Sequence, residues 1–161
     1  YRTYTEANVS RIKRMVRKID LHKKLYNVLS SLEKDQIWYV FNEPWCGDAS
    51  FIVPYLFAME CAAAGKLEVR YVLRDKNEQL MDHYLTEGGR AIPKVVLFQG
   101  QEELGSWGPR PAELQKKVKE WKKEGVELHE KIKLVYSWYR KDKGLSVQKE
   151  FIDLLRKPKH T

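Results

Sequence analysis

Two short β-branched and aromatic runs bracket a helical stretch, and that pattern constrains the fold most. Ile37-Trp38-Tyr39-Val40-Phe41 and residues 67–73 read as buried strands, and the segment between them, from about residue 48 to 64, reads as a helix. Gly65 supplies a helix stop, and Pro54 within the helix predicts a kink, because proline lacks an N–H and crowds the preceding turn. A short helix over 77–86 ends at Gly88-Gly89. Strands over 94–98 and 102–107 then follow, joined by the turn Gln99-Gly100-Gln101. Alternating β and α elements closed by a hairpin predict a small mixed sheet covered by helices on both faces.

Helical periodicity fills the flanks. Val9, Ile12, Val16, Ile19, Leu25 and Val28 recur at helical spacing and predict one amphipathic helix over residues 6–30. Pro111 opens a helix that runs to Glu124, with Gly125 just past its end. Residues 126–143 and 145–156 read as two more helices separated by Gly144, followed by a polar tail. Ile132, Val135, Tyr139, Phe151 and Leu155 would form a large exposed apolar stripe if these helices did not fold back. The expected organisation is a domain over residues 1–125 and a helical extension over 126–161 packed upon it.

Charge is distributed by region. Residues 1–30 carry 8 Lys/Arg against 2 Asp/Glu, residues 31–109 carry 7 against 12, and residues 110–161 carry 15 against 8. The basic residues sit at helical spacing rather than in one block, as the wet faces of amphipathic helices do. No nucleic-acid fold or interleaved aromatic motif accompanies them, so a nucleic-acid partner is not expected. The longest apolar runs, such as 91–98, are far too short to span a bilayer, and the polar, then basic N-terminal stretch has no signal-peptide core. With two cysteines, Cys46 and Cys61, no disulfide framework is expected, and a reducing cytoplasm is the default location.

The chemistry concentrates at Trp45-Cys46-Gly47-Asp48-Ala49, between the first strand and its helix. A thiol at a helix N-terminus meets unpaired backbone N–H groups that favour the thiolate, while Asp48 opposes that shift. Asp48 has two readings: it steadies the helix start, or it exchanges a proton near the sulfur. Cys61 lies fifteen residues further along the same helix, about 20 Å away at about 1.5 Å per residue. A disulfide needs Cα atoms within about 7 Å, so Cys61 is not a resolving partner. It is expected to pack beside Ala62-Ala63-Ala64. His22, His83, His129 and His160 lack metal-ligand spacing, and His83 reads as a surface residue, so no metal site or cofactor is called.

These motifs, in this order, resemble the thioredoxin superfamily. Trp45-Cys46-Gly47 looks like the start of its active site, and Pro54 like its helix-kinking proline. Arg90-Ala91-Ile92-Pro93 before Lys94–Phe98 looks like its cis-proline loop, and Gly108 like a groove glycine. The resemblance covers residues 37–124 and implies an α/β thioredoxin-like fold, a central mixed four-stranded sheet with helices on both faces, plus the C-terminal helical extension. The chain departs from the family in having Ala49 where a second cysteine usually stands. Val40 and Tyr71 replace the buried acid and the lysine that relatives often carry. The resemblance therefore points to a monothiol, Trp-Cys-Gly-Asp branch.

Cys46 and Asp48 are the candidate catalytic residues. Trp45, Gly47, Ile92, Pro93, Trp107 and Gly108 are the candidate substrate-binding residues, with Arg90 and Arg110 bringing positive charge near the groove. A cis Pro93 would leave the backbone of Ile92 free to pair with an extended substrate. Trp107 has a second reading as a strand residue packed on a helix. The expected activity is thiol–disulfide exchange through a mixed disulfide resolved by an external thiol. The partner would be a protein or a low-molecular-weight thiol or disulfide, and the chain a monomer or homodimer. The alternative is a non-catalytic module that holds a protein or peptide in the same groove.

Overall fold

The computed structural model describes residues 2–156; the last residues of the expected tail, 157–161, lie outside the described residues. The elements run α1 (Arg2–Val16), α2 (Lys23–Ser30), β1 (Gln36–Asn42), α3 (Ala49–Ala62), β2 (Leu67–Leu73), α4 (Glu78–Met81), β3 (Lys94–Gln99), β4 (Glu102–Trp107), α5 (Ala112–Lys123), α6 (Leu128–Asp142) and α7 (Leu145–Leu155). The sheet order is β2-β1-β3-β4. β1 pairs parallel with β2 and antiparallel with β3, and β3 pairs antiparallel with β4. This is the mixed four-stranded sheet of a thioredoxin-like fold, with C-terminal helices added.

Strand alternation divides β1 between two cores. Trp38 and Val40 enter the larger one with Leu25 and Leu29 of α2, Ile52 and Leu56 of α3, and Leu114 of α5. Phe41 points the other way, into a smaller cluster with Met81, Ile92, Val96 and Cys46. Val40 is fully buried and pairs in register with Tyr71, which is half-exposed, so neither position offers a charge to the sheet beneath the thiol.

The C-terminal helices belong to the larger core. Val135 and Tyr139 of α6 and Val147, Phe151, Ile152 and Leu154 of α7 are all buried there. Phe151 stacks on Trp38 at 5.2 Å and lies against Trp107 at 5.3 Å. Between α6 and α7 the chain turns through Lys143 and Gly144, both left-handed, and the Tyr55 hydroxyl donates to the Lys143 carbonyl at 2.8 Å.

Three local expectations need correction. The single helix over 6–30 is two helices, broken over residues 17–22. α1 packs on α3, whereas α2 packs on α7 as well as α3. His22 marks the restart: its Nδ1 accepts from the Lys24 N–H, and its own N–H donates to Gln148 at 2.7 Å. Val9, read as a core position, is exposed, and Asn8 is buried in its place with its amide donating to the Pro44 carbonyl. Cys61 does not pack; it is exposed on the outer side of α3, and both cysteines are free. Among the described residues no helix is long and apolar enough to cross a membrane, and no cluster of three or more potential ligands could hold a metal ion.

Candidate functional site

Cys46 sits where β1 gives way to α3. Its N–H donates to the Glu43 carbonyl at 2.9 Å, and the Glu43 carboxylate accepts from the Asp75 N–H, so the loop is tied at both ends. The Ile92–Pro93 peptide is cis, and the Cys46 Sγ lies 3.5 Å from the Ile92 carbonyl oxygen. A carbonyl only accepts, so this geometry suits a thiol that still carries its proton. The Ile92 carbonyl thus accepts from Cys46 through one of its two lone pairs.

Electrostatics agree with that protonation. Cys46 is 7% exposed, and burial, reinforced by the negative charge of Asp48, pushes its pKa up to about 11. The backbone N–H groups of Ala49 and Asp48 and the Arg110 guanidinium act in the opposite direction and do not prevail. The helix-start effect is present, but desolvation outweighs it.

Asp48 is the best-connected side chain here. Arg110 grips it with two hydrogen bonds, Nε to Oδ1 at 2.9 Å and Nη2 to Oδ2 at 2.7 Å. Tyr139 of α6 donates its hydroxyl to Oδ1 at 2.8 Å. Asp48 is the N-cap residue of α3 but makes no side-chain hydrogen bond to the start of that helix; its carboxylate is held by Arg110 and Tyr139 instead. Burial and the adjacent Asp48 raise the Tyr139 pKa well above its usual value, which keeps it a donor.

Gly47 and Gly108 are glycines for packing reasons. A Cβ on Gly47 would strike the Tyr136 hydroxyl of α6. A Cβ on Gly108, which has φ +114°, would strike the Pro93 carbonyl. The Gly108–Pro109 peptide is also cis, and the buried Lys94 donates its ammonium to the Gly108 carbonyl at 3.2 Å. Burial lowers the Lys94 pKa.

A cleft of about 510 Å³ opens onto the thiol. Trp45, Cys46, Gly47, Asp48 and Ile92 line one side, and Leu128, Ile132, Val135 and Tyr136 of α6 line the other. Arg74 lies over the Trp45 ring at 5.2 Å. Trp107 is not at this cleft: its indole N–H donates to Glu150 of α7 at 2.6 Å and its ring packs in the larger core. Pro93 and Gly108 do not line the cleft, whereas their neighbours Ala91 and Pro109 do. Arg90 is turned away, ion-paired with Glu78 and Asp82, while Arg110 does lie in the cleft with its charge offset by Asp48.

Sequence reasoning missed the α1 and α6 contributions. Arg11 donates to the Ser50 hydroxyl at 2.6 Å, and its guanidinium lies over the rings of Phe51 and Tyr136. Tyr139 was legible as an inward-facing residue of its helix, but no periodicity shows that its hydroxyl reaches Asp48.

Known proteins place this geometry. Thioredoxin 1 of Nostoc sp. (strain PCC 7120 / SAG 25.82 / UTEX 2576) is 31% identical over 64 residues, 40% of this chain and 57% of that protein. The chain thus spans little more than half the length of that curated relative. Among solved structures, an HIV epitope-scaffold superposes with a TM-score of 0.70 at 16% identity, covering 98% of this chain and 92% of that one. A protein of unknown function from Pseudomonas aeruginosa superposes with a TM-score of 0.68 at 18% identity, covering 96% and 88%. At such identities the two structures share the fold alone. The family model described as Thioredoxin matches residues 1–122, and on that match the chain belongs to the thioredoxin family.

Proposed function

We propose that this protein carries out monothiol thiol–disulfide exchange through Cys46, as a Trp-Cys-Gly-Asp member of its family, in a reducing cytoplasm. One observation carries the reading. The Cys46 sulfur sits beside the cis Pro93 loop at the end of an open cleft, with Ala49 at the resolving position and Cys61 exposed on the outside of α3. In the first step Cys46 gives up its proton to solvent and its sulfur attacks one sulfur of a disulfide. A mixed disulfide forms and the other half departs as a thiolate, which takes up a proton. An external thiol then attacks the mixed disulfide, returning Cys46 to the thiol and forming a new disulfide with the bound half. Asp48 is proposed as the group that governs the protonation of Cys46, since its charge opposes the thiolate. Trp45, Gly47 and Ile92 are proposed as the substrate-facing residues. The division into a domain over 1–125 and an extension over 126–161 is part of the proposal; what supports it is that α6 and α7 follow the region resembling the family.

The test is incubation with a low-molecular-weight disulfide such as cystine, read by intact mass. Because Cys61 is exposed, the comparison is made in Cys61→Ser: that variant is expected to gain one half-cystine, lost on adding excess thiol, and Cys46→Ser with Cys61→Ser to gain none. No adduct on Cys61→Ser under these conditions would overturn the exchange reading.

A second reading is a binding module that holds a protein or peptide in the cleft without chemistry. It is favoured by the burial of the thiol and its high pKa, both unfavourable to a nucleophile. Retained binding of one partner by both wild type and Cys46→Ser, with no adduct, is its signature.

A further inference from the structure

A second cavity is bounded by α1 and the turn after it, α3 and the α6–α7 turn. It encloses about 720 Å³, a size that accepts small organic molecules. Its inner surface is apolar: Met15 from α1, Ile19 from the turn that follows it, Phe51 and Tyr55 from α3, Tyr139 from α6 and Val147 from α7. Phe51 and Tyr139 are stacked at 4.6 Å with their planes 10° apart, so this floor is rigid.

The rim is cationic. Arg11, Arg14, Lys18, Arg140 and Lys143 line it, against the single carboxylate of Asp20. Arg11 is committed to Asn8, Ser50 and the two aromatic rings. Arg14, Lys18, Arg140 and Lys143 make no side-chain ion pair or hydrogen bond among the described residues. Four cations without a side-chain partner, gathered from α1, the turn after it, α6 and the α6–α7 turn around one apolar cavity, raise the local positive potential, and an anion entering it would relieve their mutual repulsion.

We propose that this cavity is a binding site for a small anionic amphiphile, with one carboxylate or phosphate head at the cationic rim and an apolar body against the aromatic floor. The head would lie among Arg14, Lys18, Arg140 and Lys143, where arginine forks match either oxyanion. The body would displace water from Phe51, Tyr55 and Val147.

The test is calorimetric titration of the full chain with decanoate and with decyl phosphate, each below its micelle concentration. Decyltrimethylammonium and inorganic phosphate serve as controls. At least one anionic amphiphile is expected to bind one-to-one, about tenfold or more tighter than either control. Which of the two binds tighter identifies the head group. Arg14→Glu with Arg140→Glu, both exposed, is expected to weaken binding by about tenfold or more. Lys116→Glu with Lys123→Glu makes the same charge change on α5 and is expected to alter it by less than about twofold. If the charge reversals disturb folding, Arg14→Gln with Arg140→Gln is expected to show a loss in the same direction. The proposal is overturned by absence of one-to-one binding to either anion, by equal binding of the cationic amphiphile or of phosphate alone, or by equal effects of the α1/α6 and α5 variants.

Discussion

Tyr139, 91 residues downstream of Asp48, donates its hydroxyl to the Asp48 carboxylate at 2.8 Å and stacks its ring on Phe51 of the helix that Asp48 precedes. A helix outside the region that resembles the family thus holds the residue two positions from the thiol. Arg110 grips the same carboxylate from the loop after β4, so three separate stretches of chain meet at one side chain.

Tyr139→Phe keeps the stack and deletes the hydrogen bond. A bond to a carboxylate in a buried site contributes about 1.5–3 kcal/mol, so unfolding in urea should show a loss of about that size. The slope of the transition should stay unchanged, because the surface exposed on unfolding is the same.

The Cys46 thiol, held up at about 11, sets a pH dependence. Alkylation of Cys46 by iodoacetamide, followed in Cys61→Ser because Cys61 is exposed, should be slow at neutral pH and still rise between about pH 9 and pH 10, where an ordinary cysteine has levelled off. Asp48→Asn removes a negative charge and frees that of Arg110, both favouring the thiolate, and should speed alkylation by about threefold or more at neutral pH. The same shift affects stability. The folded chain keeps a proton that the unfolded chain releases, so this contribution is complete below about pH 8.5 and is lost as pH rises towards the folded value. Cys46→Ser should therefore lose less stability than wild type between about pH 8.5 and pH 10, measured as urea midpoints.

Insulin reduction with dithiothreitol should be far slower than with a two-cysteine thioredoxin, because no second thiol is held at high effective concentration. Ala49 is buried at the first turn of α3, and Ala49→Cys places a thiol three residues from Cys46. That variant should recover part of the activity. Dithiol-like rates in the wild type would refute the single-thiol reading.

Gly47→Ala drives a methyl into the Tyr136 hydroxyl. Overpacking of this kind costs about 1–3 kcal/mol, read from the urea midpoint. Tyr136→Phe removes the closest atom, so the double variant should lose less than the sum of the two singles.

Ending the chain at residue 125 removes Val135, Tyr139, Val147, Phe151, Ile152 and Leu154 from the larger core and strips the cover from Trp38 and Trp107. Each lost side chain is worth about 1.5–3 kcal/mol of burial, and domains carry only about 5–15 kcal/mol in total. The shortened chain should aggregate or melt several degrees lower, by light scattering and circular dichroism. A shortened chain as stable as the full one would mean that 126–161 is an independent tail.

What the sequence determined by itself is what near neighbours along the chain determine. The strand and helix periods placed β1, β2, β3, β4, α3 and α5 within about two residues, because patterning and turn glycines act locally. The thiol, its missing partner at Ala49 and Pro93 were read from the resemblance of Trp45-Cys46-Gly47 and residues 90–93 to the family's motifs. Tertiary structure decided the rest. The break between α1 and α2 accompanies a change of packing partners, from α3 to α7 as well as α3, and no residue within 6–30 encodes that by period alone. Trp107 faces α7 and not the cleft because Glu150 and Phe151, distant in sequence, complete its surroundings. The protonation of Cys46 turned on burial, which a helix-start argument does not contain. The local N–H groups favour the thiolate, and the desolvation that overrides them comes from chain folded around the sulfur.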